Sequence, residues 1–440
     1  NNHVFYSLCA HFAVSWLGES AWTLRLPALL FGVAAIPALY QLGRHVASRE
    51  EAFLVALFMA LNYQFVWYSQ NARGYTGLLL GAVLSSILFI RLLATTRPRV
   101  GLILGYAVLA ALTAWIHLTA VFVILVHGLV WLVLAGKPNR GGQRATVMPT
   151  FVALLLTFFL ILALYAPSFG ADHNDFRNVG DGTSGFVADW EDDTGRVLSA
   201  ATTWVLREYA QGLQRSIPGG WPVVTIVVVM LLTGMVSYLR QGVVVAGLLL
   251  LPVVTTVLVV YSRGQLLFPR FMFGSAGFLM LLAVRGGFVS AGSCFPFLSR
   301  RQVLLIGGLV ALAGATLVPA AWKPKQDFIA VAEYMAQHRS PDDAVICLIG
   351  MHFALQEYQG IACTSVKSME EMVAIEKSHE RTWLIYTLPS QFEARFPQIW
   401  SRLQGSSDYV KVKEFDGTLN GGDIIVLLKD PARQSGSPAN

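Results

Sequence analysis

Ten long apolar stretches, separated by short polar connections, constrain this chain more than any other feature of its sequence. The hydrocarbon core of a bilayer is about 30 Å thick, and a helix crosses it with roughly 20 mostly apolar residues. The stretches lie at Leu24 to Gly43, Ala52 to Trp67, Tyr75 to Ile90, Leu102 to Ile116, Val121 to Ala135, Pro149 to Ala166, Trp221 to Leu239, Val243 to Tyr261, Phe271 to Val284 and Val303 to Ala320. Apolar residues make up 55% of the chain and charged residues only 13%, too few to cover a soluble globule. The sequence therefore predicts an α-helical polytopic membrane protein with about ten spans.

Basic residues are concentrated in alternate connections between these stretches. One set of connections carries twelve of them and only two acidic residues, Glu50 and Glu51. The twelve are Arg44, Arg49, Arg91, Arg97, Arg99, Lys137, Arg140, Arg144, Arg240, Arg285, Arg300 and Arg301. Because Lys and Arg in short loops mark the cytoplasmic side, we expect both ends of the chain to face outward. The excess of Arg over Lys and the C-terminal region favour a bacterial plasma membrane over the endoplasmic reticulum.

The composition changes after Ala320, where a polar region of alternating strand and helix patterns begins. This pattern predicts that residues 321–432 form a small extracytoplasmic α/β domain with a mostly parallel sheet, after a polytopic domain at 1–320. The Ser-, Gly- and Pro-rich residues 433–440 predict a disordered tail. Helices are predicted at Asp327 to His338, Met351 to Tyr358 and Met369 to Ser378, and strands at Ala344 to Leu348, Cys363 to Val366, Thr382 to Thr387 and Asp423 to Leu428.

Two outward features leave alternatives open. In the loop at 168–220, a helix-spaced stripe favours a helix that either lies in the membrane interface or packs on the outer ends of the spans. The stripe consists of Val197, Ala201, Trp204, Val205 and Tyr209. Cys347 and Cys363 fall in neighbouring predicted strands on the oxidising side, where they form either a disulfide or two buried thiols.

Several classes of function are disfavoured by what the sequence lacks. No predicted span contains a carboxylate or a lysine, whereas ion-coupled transporters usually need such groups within the membrane. The sequence has no glycine-rich phosphate loop, no cysteine pair with zinc spacing, no His-Glu metal motif and no nucleophile elbow. The acidic outward surface makes a nucleic-acid partner unlikely. A facilitator of neutral solutes remains open.

Polar and charged residues gather at the outward ends of the predicted helices. An arginine at this depth can bind a phosphate bidentately while its stem stays in apolar surroundings, but it can equally be an anchor that extends to lipid headgroups. His117, in the tight hairpin between the fourth and fifth stretches, is either part of a site or a structural histidine. The candidate residues are His3, Glu19, Arg25, Tyr68, Gln70, Arg73, Tyr75, His117 and Arg270, with Asn2, Asn71 and Arg263 beside them.

The same residues resemble the sequence blocks of polytopic glycosyltransferases. The block from Gly18 to Gly32 contains Glu19 and Arg25-Leu26-Pro27, as in the first block of that family, and Tyr68 to Tyr75 is similar to its second block. Trp115-Ile116-His117 resembles its Thr-His hairpin, and Phe268-Pro269-Arg270-Phe271 resembles its late Pro-Arg-Tyr. The family is glycosyltransferase family 39 and its relatives in the C-type superfamily, which include protein O-mannosyltransferases and lipid A aminoarabinose transferases.

The resemblance implies transfer of a sugar from a polyprenyl-phosphate carrier to a lipid, glycan or protein acceptor on the outward face of the membrane. It implies Arg270, Arg73 and Arg25 as phosphate-binding residues, and His3, Glu19, Tyr68, Gln70, Tyr75 and His117 as residues of the substrate cavity. Some relatives require a divalent cation. The catalytic carboxylate of the family lies on an outward loop that would precede Asn1, so we expect the base to lie outside this chain, or to be replaced by Asp172, Asp175 or Asp181.

Two departures from the family pattern concern this site. Val4 stands where the family usually has Pro after its Asn-His, and Asn71 stands where its second block usually has Glu. The second departure removes a partner that Arg73 would otherwise have. The competing hypothesis is a non-catalytic carrier or facilitator of lipid-linked sugars, with an outward domain that binds a partner.

Overall fold

The computed structural model describes residues 3–95, 97–136, 144–167, 205–262, 267–405 and 407–430. The chain divides into two compact units, and the boundary falls between Ala321 and Trp322. The first unit is helical. Its helices are α1 (Val4–Leu17), α2 (Ala21–Val46), α3 (Arg49–Leu61), α4 (Tyr63–Ser69), α5 (Tyr75–Ala94), α6 (Val100–Ile116), α7 (Ala120–Ala135), α8 (Arg144–Tyr165), α9 (205–214), α10 (Gly220–Gln241), α11 (Val243–Ser262), α12 (Pro269–Met272), α13 (Ala276–Cys294) and α14 (Arg300–Ala315).

Every one of the ten predicted apolar stretches coincides with a helix of this unit. Six helical segments among the described residues are long and apolar enough to cross a membrane, and the bent pair α3 and α4 makes a seventh. Helices α6 and α7 are equally apolar but shorter. Helix α10 exposes large apolar side chains such as Val229 and Leu232, as a helix facing lipid would. The chain is therefore a polytopic helical membrane protein.

Local sequence sets where several of these helices begin. Ser20 and Thr23 form a capping box at the start of α2, and Ser48 and Glu51 form another at the start of α3. Asn62 ends α3 and begins α4, because its side-chain oxygen accepts a hydrogen bond of 2.9 Å from the Gln64 amide. The two helices are bent by 58° at this residue. The predicted stretch from Ala52 to Trp67 is thus divided into two helices, which is the geometry of a broken span or of a re-entrant loop.

Helices α10 and α13 cross at very close range. A Cβ atom added to Gly286 would collide with the backbone carbonyl of Met230, and one added to Gly234 would collide with that of Leu282. Helices in membranes commonly approach through such small residues, because lipid itself provides no hydrophobic driving force for their association. The two glycines therefore let these helices pack backbone against backbone.

The second unit is a small α/β domain. Its helices are α15 (Phe328–His338), α16 (Met351–Gln359), α17 (Met369–Ser378), α18 (Pro389–Arg395) and α19 (Pro397–Gly405), and its strands are β1 (Ala344–Cys347), β2 (Thr382–Tyr386), β3 (Val410–Phe415) and β4 (Ile424–Lys429). The strand order is β1-β2-β4-β3. One apolar cluster covers each face of the sheet, with Trp383 and Ile385 in one and Leu384 and Leu427 in the other.

Two sequence expectations for this unit are wrong. The sheet is not mostly parallel, since only β1 and β2 pair in parallel while β4 pairs antiparallel with both neighbours. The segment Cys363 to Val366 is not a full strand but touches β1 through a single parallel bridge between Ile346 and Thr364. The segment is too short to form a full strand, and only Thr364 pairs with β1.

Candidate functional site

Four aromatic and imidazole rings from four different helix ends form a cluster, referred to below as the ring cluster. It consists of His3, Tyr68, Tyr75 and His117, and each side chain is more than nine-tenths buried. The centre of the His3 ring lies 4.8 Å from that of His117 and 5.3 Å from that of Tyr75, and the centres of the Tyr68 and Tyr75 rings are 5.3 Å apart. The structure therefore brings together four of the predicted cavity residues.

A glycine in the predicted second block makes this packing possible. A Cβ atom on Gly74 would meet the side chain and carbonyl oxygen of Ile116 and would crowd the His3 ring. The Nδ1 atom of His3 lies 3.3 Å from the same carbonyl oxygen. Any larger residue than glycine at position 74 would push the start of α5 away from the end of α6, and the ring cluster would separate.

His117 is held in one orientation by Thr119. Its Nδ1 accepts hydrogen bonds from the Thr119 amide, at 3.2 Å, and from the Thr119 hydroxyl, at 2.8 Å. The neutral ring therefore carries its proton on Nε2. Burial lowers the pKa of His117, which lies in the connection between α6 and α7, to about 3, and the positive charge of Arg270 acts in the same direction. His117 is thus a neutral donor at physiological pH.

His3, which precedes α1, is also kept neutral. Burial lowers its pKa, a backbone hydrogen bond to Ile116 opposes this, and the charge of Arg73 lowers the pKa further. The ring cluster consequently contributes hydrogen-bonding and aromatic groups without a charge of its own.

Two arginines supply positive charge around the ring cluster. The Arg270 guanidinium is half-buried, lies 4.4 Å from the centre of the Phe268 ring and interacts electrostatically with both Tyr68 and His117. Arg73 is exposed, and its charge reaches His3. Within the part of the chain that the structure describes, neither side chain forms an ion pair. Their charge is therefore uncompensated by a described carboxylate, as an anion-binding site requires.

The remaining predicted residues are not drawn into the ring cluster by any described contact. Arg25 is exposed on the first turn of α2, where its charge acts on Tyr6 of α1. Glu19 is exposed in the turn between α1 and α2. Gln70 donates to the carbonyl oxygens of Val66 and Ala321, both at 3.4 Å, and so helps to fix the end of α4.

Sequence reasoning missed the contribution of α9 to this region. The Tyr209 hydroxyl donates to the Phe268 carbonyl oxygen at 3.5 Å, and the charge of Glu208 acts on Tyr68. Gln64 of α4 donates to the Gly212 carbonyl oxygen at 3.3 Å, which holds α9 against α4. The only sequence signal was Tyr209 in the predicted helical stripe. Asp172, Asp175, Asp181 and Arg263, together with most of that stripe, lie outside the described residues.

A divalent cation finds no set of ligands in the described ranges. No three His, Cys, Asp or Glu side chains there come together closely enough to hold a metal ion. His3 and His117 are adjacent, but the described contacts of both rings are to protein atoms and to neighbouring rings. We therefore derive no chemical step that passes through a metal.

Comparison with solved structures identifies the fold of the membrane unit. The chain is similar to ArnT from Cupriavidus metallidurans bound to undecaprenyl phosphate, with a TM-score of 0.52 and 11% identity over 99% of this chain and 88% of that one. It is also similar to the Archaeoglobus fulgidus oligosaccharyltransferase in complex with Zn and sulfate, with a TM-score of 0.52 and 12% identity over 88% of this chain. The match spans only 60% of the length of that enzyme.

A third similar structure contains a lipid phosphate. It is the archaeal oligosaccharyltransferase AglB from Archaeoglobus fulgidus in complex with an inhibitory peptide and a dolichol-phosphate, with a TM-score of 0.52 and 12% identity over 89% of this chain and 62% of that one. No family model matches the sequence. No curated protein matches it either. The chain thus shares the fold of these solved structures, and this likeness is structural rather than one of sequence.

Proposed function

We propose that this protein is a membrane glycosyltransferase that moves a sugar from a polyprenyl-phosphate carrier to an acceptor on the outward face of the membrane. The observation that carries the proposal is the position of Arg270, an arginine without an ion-pair partner among the described residues, beside the ring cluster of a C-type fold. A guanidinium pairs with a phosphate through parallel hydrogen bonds, and its apolar stem suits the surroundings of a lipid headgroup.

In this proposal Arg270 and Arg73 hold the donor phosphate from two sides of the ring cluster. Arg25, at the start of α2, is the third proposed phosphate ligand, and Glu19 and Gln70 line the approach. The Nε2 proton of His117 and the Tyr68 and Tyr75 hydroxyls provide neutral donors for the sugar or for the phosphate oxygens. Cations close to the phosphate stabilise the negative charge that develops as the sugar leaves.

The proposed reaction needs a base but no general acid. A carboxylate with a pKa near the working pH removes the proton from the acceptor hydroxyl, which attacks the anomeric carbon of the donor. The bond from that carbon to the phosphate oxygen breaks, and its electron pair leaves with the polyprenyl phosphate. Because the leaving phosphate is already a stable anion, it does not have to be protonated.

A binding experiment with the carrier lipid tests whether Arg270 binds the lipid phosphate, and the acceptor need not be known for it. Purified full-length protein in nanodiscs would be titrated with undecaprenyl phosphate and, separately, with undecaprenol, which lacks the phosphate. We expect Arg270→Ala to weaken binding of the phosphate lipid about tenfold or more and Arg270→Lys to recover part of it. Arg99→Ala, a change at an exposed cytoplasmic-side arginine, is the control. Equal affinities of the wild type and Arg270→Ala would remove Arg270 from the site.

Catalysis is tested with lipid-linked sugars as donors. Incubation of the full-length protein with a panel of polyprenyl-phosphate sugars and a membrane extract, followed by mass spectrometry, should reveal transfer that Arg270→Ala abolishes. Undecaprenyl phosphate binding without any transfer across the panel would favour the carrier hypothesis instead.

The arrangement in the membrane forms part of the same proposal. We propose that residues 1–320 form the transferase domain of a bacterial plasma membrane protein and that residues 321–432 form a domain on its outward side. After mild treatment of intact cells with a membrane-impermeant reductant, a membrane-impermeant thiol reagent should label Cys363 in a variant in which Cys9 and Cys294 are changed to Ser. Labelling that requires cell lysis would contradict this orientation.

A further inference from the structure

The C-terminal unit contains a pair of thiols that the proposed function does not use. Cys347 ends β1 and is buried, and Cys363 lies in the neighbouring segment and is half-buried. Both side chains belong to the apolar cluster on one face of the sheet. Both are free thiols in the structure, and the Cys363 thiol donates to the His352 carbonyl oxygen at 4.0 Å.

The backbone places the two cysteines diagonally across neighbouring segments, Cys347 one residue after and Cys363 one residue before the bridged pair Ile346 and Thr364. The Cys347 amide donates to the Thr364 carbonyl oxygen at 2.9 Å, and the Thr364 amide donates to the Val345 carbonyl oxygen at 2.8 Å. With the parallel bridge between Ile346 and Thr364, these bonds make the 363–364 segment a short neighbour of β1. A disulfide between Cys347 and Cys363 would therefore run diagonally between two chain segments that are already paired.

An arginine lies next to the pair. Arg339 follows α15 and donates to the Ala362 carbonyl oxygen at 3.1 Å, directly before Cys363. A hydrogen bond with Cys347 lowers the pKa of Cys363, burial opposes this, and the Arg339 charge lowers it further, whereas burial raises the pKa of Cys347. The Nε atom of Arg339 is buried and has no hydrogen-bond partner in the described part of the chain.

A groove lies beside Arg339 and reaches Ile361, and neither cysteine lines it. Its volume is about 460 Å³, and its lining includes Arg339, Gly360 and Ile361, the last lying two residues before Cys363. The half-buried thiol and the groove lie on the same segment, whereas Cys347 is covered by the sheet. The pair is thus asymmetric, with one accessible and one enclosed sulfur atom.

From this geometry we propose that Cys363 and Cys347 form a redox-active dithiol, in which Cys363 reacts first with a disulfide-bonded oxidant and Cys347 completes an intramolecular disulfide. The Cys363 thiolate attacks one sulfur of the oxidant, the S–S bond of the oxidant breaks, and its electron pair leaves with the other sulfur as a thiolate. Cys347 then loses its proton and attacks the Cys363 sulfur, which releases the second thiolate. The protein loses two electrons and two protons, and the oxidant becomes two thiols.

Oxidised and reduced glutathione serve as the probe for the full-length protein in detergent. After equilibration at a series of ratios, free thiols would be blocked with a maleimide and peptides mapped by mass spectrometry under non-reducing conditions. We expect a two-electron transition in which Cys347 and Cys363 become linked to each other, while Cys9 and Cys294, the other two cysteines of the chain, act as internal references. If both thiols stay open to the maleimide at every ratio, or if either links to Cys9 or Cys294, the proposal is wrong.

Single variants test the order of attack. In Cys347→Ala, Cys363 should trap glutathione as a stable mixed disulfide, whereas in Cys363→Ala the modification of Cys347 should be at least about tenfold slower. The matched change Cys294→Ala should leave the transition of the wild-type pair untouched. Equal rates for the two single variants would overturn the assigned order. Should a variant fail to fold, the wild-type transition alone still decides whether the pair exists.

Arg339 has its own test as a positioning residue. In Arg339→Gln, the pH at which Cys363 is half alkylated should rise. In Arg339→Lys, this pH should return most of the way to the wild-type value. This profile separates an effect on the thiol from a loss of packing. An unchanged profile in Arg339→Gln would exclude Arg339 from the site.

Discussion

The Nη1 atom of Arg285 lies 3.0 Å from Oε1 and 3.3 Å from Oε2 of Glu51, a carboxylate whose side chain is only 1% exposed. Arg300 adds a second contact to Glu51 at 2.6 Å, so one carboxylate of α3 binds arginines from α13 and α14. Glu51, one of the two glutamates that stood out among the basic residues of these connections in the sequence, thus has a structural role and ties together three helices.

Loss of this carboxylate should destabilise the membrane unit. Glu51→Gln leaves Arg285 partly buried without its counter-charge, which typically costs about 3–5 kcal/mol in a buried pair. We expect a clear drop of the thermal midpoint in detergent, measured by the loss of monodisperse protein on heating. Glu50→Gln is the matched control, because Glu50 is half-exposed and its carboxylate lies 3.9 Å from Arg300, a longer contact than those of Glu51. Equal midpoints for the two variants would show that the Glu51 cluster is not stabilising.

The crossing of α10 and α13 should not tolerate a methyl group. Gly286→Ala places a carbon atom against the Met230 carbonyl oxygen, and neither backbone can yield without separating the helices. Overpacking of this kind costs about 1–3 kcal/mol or more. Gly292→Ala, later in the same helix and with open space around it, should behave like the wild type. Thermal midpoints of the three proteins in the same detergent provide the measurement.

The Thr119 hydroxyl should support turnover, because it holds the His117 ring in place. Thr119→Val removes one of the two hydrogen bonds to His117 Nδ1, whereas Thr119→Ser keeps it. A hydrogen bond of this type contributes about 1 kcal/mol, so we expect turnover to fall roughly fivefold in Thr119→Val and little in Thr119→Ser. The comparison uses the sugar-transfer assay at saturating donor. If Thr119→Ser falls as far as Thr119→Val, the hydroxyl is not the group responsible.

The stability of the C-terminal unit should decline in acid because of Glu376. Burial alone would raise the pKa of this carboxyl, but hydrogen bonds from Lys429, Arg402 and Tyr409 outweigh it, and the pKa is lowered. A lowered folded-state pKa adds stability above the unfolded value, near 4.5, and that stability is lost as the pH falls through the folded value.

Hydrogen exchange of the full chain measures this effect. Peptides of α17 and β4 should lose protection as the pH falls below about 4.5, after correction for intrinsic exchange rates. In Glu376→Gln protection should be lower at neutral pH and should depend less on pH. Glu357→Gln, at an exposed position, is the control. A Glu376→Gln profile that follows the wild type would refute the role of this carboxyl.

Much of the secondary structure was predictable because several local signals, such as a capping side chain and acidic residues in the first turn, indicate the same helix. Helix α17 spans Met369–Ser378 as predicted, with Ser368 as a side-chain cap and Glu370 and Glu371 in its first turn. Strand β3 was missed because half of Val-Lys-Val-Lys-Glu-Phe is charged, and the strand lies at a sheet edge where none of its residues is fully buried. The bend at Asn62 was also missed, since the apolar stretch continues through it.

The candidate site was only partly accessible from the sequence. The resemblance to family blocks pointed to His3, Tyr68, Tyr75, His117 and Arg270, but their contact depends on Gly74 packing against Ile116, which no periodicity encodes. The helix-spaced stripe predicted a helix through Tyr209, but the contact between Tyr209 and Phe268 depends on tertiary packing, which the stripe does not specify.

The open edge of β3 also affects whether neighbouring copies of the protein associate through their sheets. Its outer side carries Lys411, Lys413 and Glu414, and its pairing with β4 is irregular between Lys411 and Lys413. Charged side chains and such an irregularity both prevent a foreign strand from adding to an open edge. On this side of the sheet, crowding at a membrane surface should therefore not promote stacking of neighbouring copies into aggregates.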